Sequence, residues 1–481
     1  MVNLQLPSWY TSPWCQVVLV GLTCFGTPGM FSAVSNLGAG GTQDVVLSDI
    51  GNGVLYGMFA LTGLVSGSIN NLIGPRLTLF FGTLGYALYI GALWCFQTQG
   101  TRWFVIFAGA VLGITAALLW SAQGSIMMSY PLEKDKGKSF AVFWVIFQAG
   151  VLIGSLIALA INIRDGQLAA VSTSTYVAFL VIVFCAIASS FLVLPPNRVI
   201  RADGSRVAIE AKSTLHKELV SSWKLLRDWR MLALLPMFFA SNYSYAYQNA
   251  INAGLFDGPT RALNGTLSAA GSIVGALFIG FFVLDTKRLK RRTRGYLALG
   301  VVTSMTIITW GVGLSWQVTF TREDAKQMLA DKDLINYKEA RYHGKGALYF
   351  WYYFSDACYQ ALTYWIMSAL TNDPFTLARF AGLYKAVQSA GSAGSFGMDA
   401  TVTPYLNEHL ASWCMMLFSF PLAFLVIRTI KESNYEAEHV LFVGDAKPAD
   451  TTDDVSSHDE KNSIQEIPTA SAYVDGVQLT S

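Results

Sequence analysis

Twelve stretches of roughly 20 residues, nearly all free of charge, divide this sequence, and each has the length a helix needs to cross about 30 Å of hydrocarbon. The first six are Trp14–Val34, Val54–Ile73, Leu77–Gln99, Trp103–Tyr130, Ser139–Asn162 and Ser172–Leu194. A polar stretch, Pro195–Arg230, interrupts. The second six are Met231–Phe256, Ala262–Leu284, Gly295–Thr319, Ala347–Leu370, Phe380–Val402 and His409–Ile427. Only the last set carries charges inside its runs, at Asp356, Lys385 and Asp399. A soluble fold is excluded, because 13% of the residues are charged where soluble domains hold about 25%. The expected fold is therefore an all-α membrane protein of twelve transmembrane helices in two six-helix halves. Its parts are an N-terminus (1–13), a first half (14–194), a linker (195–230), a second half (231–430) and a tail (431–481).

Lys and Arg set the expected orientation. With the N-terminus in the cytoplasm, the cytoplasmic loops hold Arg76, the cluster Lys134, Lys136 and Lys138, eight basic residues of the linker, and the block from Lys287 to Arg294. The opposite loops hold Arg102, Arg164 and Arg261, plus a near-neutral loop, Gln317–Gly346. Both termini are thus expected to be cytoplasmic. The first run lacks a charged n-region and reads as an uncleaved anchor. The tail from Lys431 holds eleven acidic and three basic residues with little to build a core, and reads as disordered. Without it the chain is at +10, from 30 basic and 20 acidic residues.

No phosphate-binding Gly-Lys-Ser/Thr loop and no His-Glu-x-x-His pair occurs. The six cysteines have neither paired nor metal-ligand spacing. No cofactor, no metal and no enzymatic chemistry is expected. The basic blocks suit anionic lipid headgroups, not nucleic acid.

The loop after the second run reads Gly67-Ser-Ile-Asn-Asn71-Leu-Ile-Gly74-Pro-Arg76-Leu. It resembles the signature between helices 2 and 3 of the major facilitator superfamily, where an acid faces a helix N-terminus and basic groups across the cytoplasmic gate. Asn71 stands where that acid belongs, so the hydrogen bond is retained and the charge is lost. Three other stretches resemble the Unc-ninety-three-like branch of that superfamily. They are Cys24–Ser32 with Leu37–Gly41, Pro236–Gln248 with Thr260–Gly265, and Arg379–Gly391 ending in Asp399. The resemblance implies the transporter fold. It leaves activity open, since better understood members resemble regulators of potassium channels or of receptor trafficking.

Charges in the hydrocarbon region are costly and face a cavity or a partner. Asp356 falls mid-bilayer in the tenth run, and Lys385 lies near it in height in the eleventh. The pair either lines a path or locks two helices together. Asn242, Gln248 and Asn249 make the seventh run unusually polar, and Tyr245 shares a face with Asn242 and Asn249. The cavity set is Asn242, Tyr245, Gln248, Asn249, Asp356, Lys385 and, from the eleventh-run stretch, Gln388. The gating set is Pro28, which should kink the first helix, with Gly67, Asn71, Gly74, Arg76 and Arg379. Gln148, beside Gly150 and Gly154, reads as part of a helix-packing step.

Two functions follow. One is a transporter that moves a small polar solute or ion by alternating access. The other is a non-transporting regulator bound to another membrane protein. The buried Asp356 and Lys385 favour the first, and the weakened charge at Asn71 favours the second.

Overall fold

The computed structural model describes residues 6–36, 45–165, 173–207 and 213–434, and these are helical almost throughout. The stretch 37–41 and the tail from 435 onward, both singled out in the sequence, lie outside the described residues. Twelve long helical segments follow in order. Helix α1 comes in two pieces, Pro13–Gly26 and Pro28–Asn36; α2 is Val45–Ile73, α3 Pro75–Gln99, α4 Arg102–Ser129, α5 Lys136–Asp165 and α6 Thr173–Ser189. After the linker, α7 is split into Trp229–Ala240 and Tyr245–Leu255. Helix α8 runs Gly258–Leu277 and continues as a π-helix to Leu284. Then come α9 Arg291–Gln317, α10 Lys345–Leu370, α11 Pro374–Ala400 and α12 Tyr405–Ile427.

Among the described residues, nine spans are long and apolar enough to cross a membrane. The segments missing from that set are α7, α10 and α11. The two pieces of α7 are 12 and 11 residues long, too short individually to cross. Helices α10 and α11 have the length, at 26 and 27 residues, but polar side chains dilute them. Chains that fold in lipid keep polar groups off the lipid face, so the polar faces of these three helices turn toward the protein interior. The outer faces of other helices present Leu61, Phe184, Phe282, Ile308 and Phe418, all exposed.

Local chemistry sets the helix ends. Gly74 has φ +87°, which suits glycine, and Pro75 opens α3. The Asp373 carboxylate accepts from the Thr376 amide and Pro374 opens α11. Helix α1 breaks at Thr27 because Pro28 brings no N–H to continue the ladder. Helix α7 breaks at residues 241–244, so the expected continuous seventh helix is two helices with a turn between them.

The two halves meet along two seams, α2 and α4 against α11, and α5 against α8. Contact at the first seam is close enough to require glycine. A Cβ on Gly67 would lie 2.4 Å from the Ala378 carbonyl oxygen. The Gly150 and Gly154 step packs α5 on Phe25 and Ala33 of α1.

Three polar regions have more structure than their composition predicts. The linker contains a helix, Leu215–Leu225, whose Glu218 is buried. The 317–346 loop contains a helix, Arg322–Ala330, closed by a Thr321–Asp324 capping box. From it Arg322 reaches Asp399 and Glu408, each at 2.7 Å, so Asp399 has a structural partner. The first residues of the segment read as tail, 431–434, contact the helical body. Glu432 accepts from the Arg291 amide at 2.8 Å, and the Asn434 side chain donates to the Ala369 carbonyl at 3.1 Å. Asn264, which with Gly265 and Thr266 spells an N-glycosylation acceptor pattern, is fully buried and bonded to Asn252 and Tyr342, so its amide is not free to take a glycan.

Candidate functional site

Between the halves lies a cavity of about 150 Å³. Aromatic side chains build a large part of its wall, among them Phe31, Tyr56, Tyr86, Trp120, Trp144, Phe147, Tyr353 and Phe396. Polar groups come chiefly from the three helices that are not apolar enough to cross by composition. Helix α7 contributes Asn242, Tyr245 and Asn249, α10 contributes Gln360, and α11 contributes Lys385, Gln388 and Ser389. Helix α5 adds Gln148, read from the sequence as packing.

The charged pair does not meet. Lys385 Nζ donates to Gln388 Oε1 at 2.7 Å and lies over the rings of Trp120, Tyr384 and Tyr364 at 4.6, 4.9 and 5.5 Å. Asp356 Oδ2 accepts from Tyr245 Oη at 2.8 Å and from Gln360 Nε2 at 2.9 Å. The two glutamines close the gap, since Gln388 Nε2 approaches Gln360 Oε1 at 3.4 Å. The same Nε2 is within reach of Ser241 Oγ and Asn242 Oδ1, both at 2.9 Å, and of Tyr384 Oη at 3.1 Å. Both amides therefore point their carbonyls toward the lysine and their NH2 groups toward the carboxylate. That alignment stabilises opposite charges at the two ends without a direct contact.

Of the cavity set, Asn242, Tyr245, Asn249, Lys385 and Gln388 line the wall. Asp356 sits behind it, covered by Tyr245 and Gln360. Gln248 is buried off the wall, and its backbone carbonyl takes a bond from Tyr349. Sequence reading missed Gln360, Trp120 and Ser241. Gln360 had a usable signal, being four residues beyond Asp356 on one helix face. Trp120 had none, because α4 meets α11 only in the folded chain.

The cavity is sealed at the end that carries the linker. Asn71 Nδ2 donates to Glu218 Oε2 at 3.0 Å and to the Phe375 carbonyl at 2.9 Å. The other Glu218 oxygen pairs with Arg379 Nη1 at 2.8 Å. A carboxylate is therefore present at this contact, supplied by the linker helix and not by α2. The hydrogen bond expected of Asn71 is present, and the charge that Asn71 does not supply sits on Glu218. Gly67 lets α2 and α11 touch here. Arg76 plays a different part from the one expected, donating to the Val193 carbonyl within the first half at 2.8 Å. Pro28 lines the cavity at the break in α1, far from this seal.

Lys136, at the start of α5, also ties the halves together at the end of α10, where its Nζ donates to the Ser368 carbonyl at 2.7 Å and to Asn372 Oδ1 at 2.9 Å. Just past the end of α8, Asp285 Oδ2 accepts from the Lys138 amide at 2.6 Å, at the N-terminus of α5. Burial pushes the Asp285 carboxyl up to about 7, against the opposing pull of the Lys138 and Gly137 amides and of Arg294.

Residues 50–423 match the family described as "Ion channel regulatory protein UNC-93". The chain belongs to the UNC-93 family. It is 37% identical over 421 residues to UNC93-like protein 1 of Arabidopsis thaliana, covering 87% of this chain and 90% of that one. A UNC93-like protein of Schizosaccharomyces pombe is also 37% identical, over 420 residues, with 87% and 82% covered. Solved structures share the fold. The human organic anion transporter MFSD10 superposes with a TM-score of 0.56 at 12% identity, over 88% of this chain and all of that one. A bacterial homologue of the iron transporter ferroportin gives 0.59 at 10% identity, over 86% and 98%. This UNC-93 family member thus has the major facilitator fold.

Proposed function

We propose that this chain is a transporter that moves a small polar solute by alternating access. The observation that carries the reading is an aromatic-walled cavity with convergent polar groups between two six-helix halves, sealed at one end by the Asn71–Glu218–Arg379 interlock. Sealed ends of this kind, made of hydrogen bonds and close helix contacts, come apart without unfolding either half. The basic-residue asymmetry supports a cytoplasmic linker and cytoplasmic termini, and on that orientation the sealed end is the cytoplasmic one and the structure corresponds to an outward-facing state. At about 150 Å³ the space is smaller than the ~300–1,000 Å³ clefts that take drug-sized ligands, which supports a small solute.

The test uses cysteines in cell membranes. One at Ser389, on the cavity wall, reacts with an impermeant thiol reagent from the face opposite the linker. In the Glu218→Ala background that reactivity falls, and a cysteine at Ser125, buried at the sealed end, becomes reactive from the linker face. If neither position changes accessibility, the halves are locked together and the transport reading fails.

A second reading is supported by the family's description as ion channel regulators. On that reading the fold is kept as a binding partner for another membrane protein. Purification from native membranes separates the two, because a regulator brings a stoichiometric channel subunit with it and a transporter does not.

A further inference from the structure

Among the described residues lining the cavity, one is charged, and it is Lys385. Its ammonium is 3% exposed at the residue level and has three N–H donors. One is given to Gln388 Oε1, while the rest of the ammonium lies against ring faces, with Trp120 nearest at 4.6 Å. Ring faces hold a cation less strongly than a carboxylate does. The nearby acid is not a competitor for the remaining donors. Asp356 makes no ion pair with Lys385 among the described residues, and its Oδ2 is held by Tyr245 and Gln360. The cavity wall therefore presents one cationic group framed by flat aromatic surfaces, with the Asp356 carboxylate behind the wall at the far end of the glutamine chain.

We infer that the cavity recognises a small organic anion, a carboxylate on a flat apolar body, with Lys385 as its charge partner. This rests on the transporter reading for its purpose but is tested by binding alone. An anion entering the cavity exchanges the Trp120 ring for a charge-assisted hydrogen bond to the ammonium. Its apolar body stacks on the neighbouring rings, and the Asn242 and Asn249 amides meet any polar substituent. A metal cation or an amine would instead face Lys385 with like charge, which is unfavourable.

Trp120 makes the event visible. Full-length protein purified in detergent is titrated with benzoate, benzamide and benzylamine, three probes sharing a ring and differing in charge. Tryptophan fluorescence and melting temperature are followed together. Benzoate is expected to give a saturable fluorescence change and a rise in melting temperature, with the amide and the amine at least tenfold weaker. Lys385→Gln should lose the benzoate response and Lys385→Arg should keep it. Trp120→Phe should lose most of the fluorescence change while the melting shift remains. Preference for benzylamine, equal binding of all three, or no response to benzoate from folded wild-type protein each overturns the inference. Because the charge series is read on the wild type, a Lys385 variant that fails to fold does not rescue the idea. Benzoate that binds but shows no exchange in liposomes leaves the anion site standing and removes the transport reading.

Discussion

Lys385 and Asp356 are joined through two glutamine side chains and make no ion pair with each other. Lys385 reaches Gln388 at 2.7 Å, and Asp356 takes a 2.9 Å bond from Gln360. A buried salt bridge offsets desolvation by direct attraction, and removing one partner typically costs about 3–5 kcal/mol. Here each charge is satisfied locally by an amide, so the two should behave more independently.

The first expectation is energetic. Asp356→Asn and Lys385→Met, at opposite ends of one hydrogen-bond chain, should couple only weakly in melting temperature. Gln360→Leu and Asp356→Asn, whose side chains touch, should be strongly non-additive. Gln388→Leu removes an oxygen acceptor from Lys385 and should cost about 1–3 kcal/mol on its own. A large coupling between Asp356 and Lys385, as big as that between Asp356 and Gln360, would show that the amide chain does not insulate the charges.

The second expectation concerns the relocated acid. Restoring an acid on α2, by Asn71→Asp, should weaken the seal, because the new carboxylate faces Glu218 at hydrogen-bond distance. Glu218→Gln in the same chain should restore it, since one acid and one amide are present again. The readout is thiol reactivity of a cysteine at Ser125 from the linker side. An Asn71→Asp variant that seals as tightly as the wild type would refute the assignment of Glu218 as the gate's acid.

A pH dependence follows from Asp285, which faces the Lys138 and Gly137 amides, Arg294 and the Lys138 side chain. Its carboxyl is raised to about 7 by burial, above the value near 3.9 of a free aspartate. A folded-state pKa above the unfolded one favours the protonated form in the folded chain. The group's contribution is therefore complete below the unfolded pKa and is lost as pH rises toward and through 7. Melting temperature measured from pH 5 to 8 should fall more steeply in the wild type than in Asp285→Asn. Parallel curves would mean that Asp285 does not titrate in this window.

Truncation gives a further check. Ending the chain after Asn434 should leave the melting temperature of the membrane body unchanged. Ending it after Ile430 removes the contacts of Glu432 with Arg291 and of Asn434 with Ala369 and Glu133. Each lost bond of this kind is worth about 0.5–1.5 kcal/mol, so the shorter chain should melt several degrees lower. Equal melting of the two truncations would show that residues 431–434 carry no stability.

The sequence by itself determined the membrane class, the two sets of six runs, the polar linker and the family resemblance. Those properties belong to windows of about 20 residues or to short contiguous motifs, because crossing a bilayer is decided segment by segment. It also marked α7 and the charges on α10 and α11 as the polar interior, since a polar residue in an apolar run is visible locally. The tertiary structure alone decided who touches whom. Asn71 meets Glu218 across 147 positions of sequence, and no local pattern marks a linker glutamate as the acid missing from α2. Lys385 and Asp356 fall within a side chain's reach by helix rise, yet helix rotation turns one onto Trp120 and Gln388 and the other onto Tyr245. Height along a helix follows from counting residues, whereas rotation about its axis is set by packing against neighbours far away in the chain.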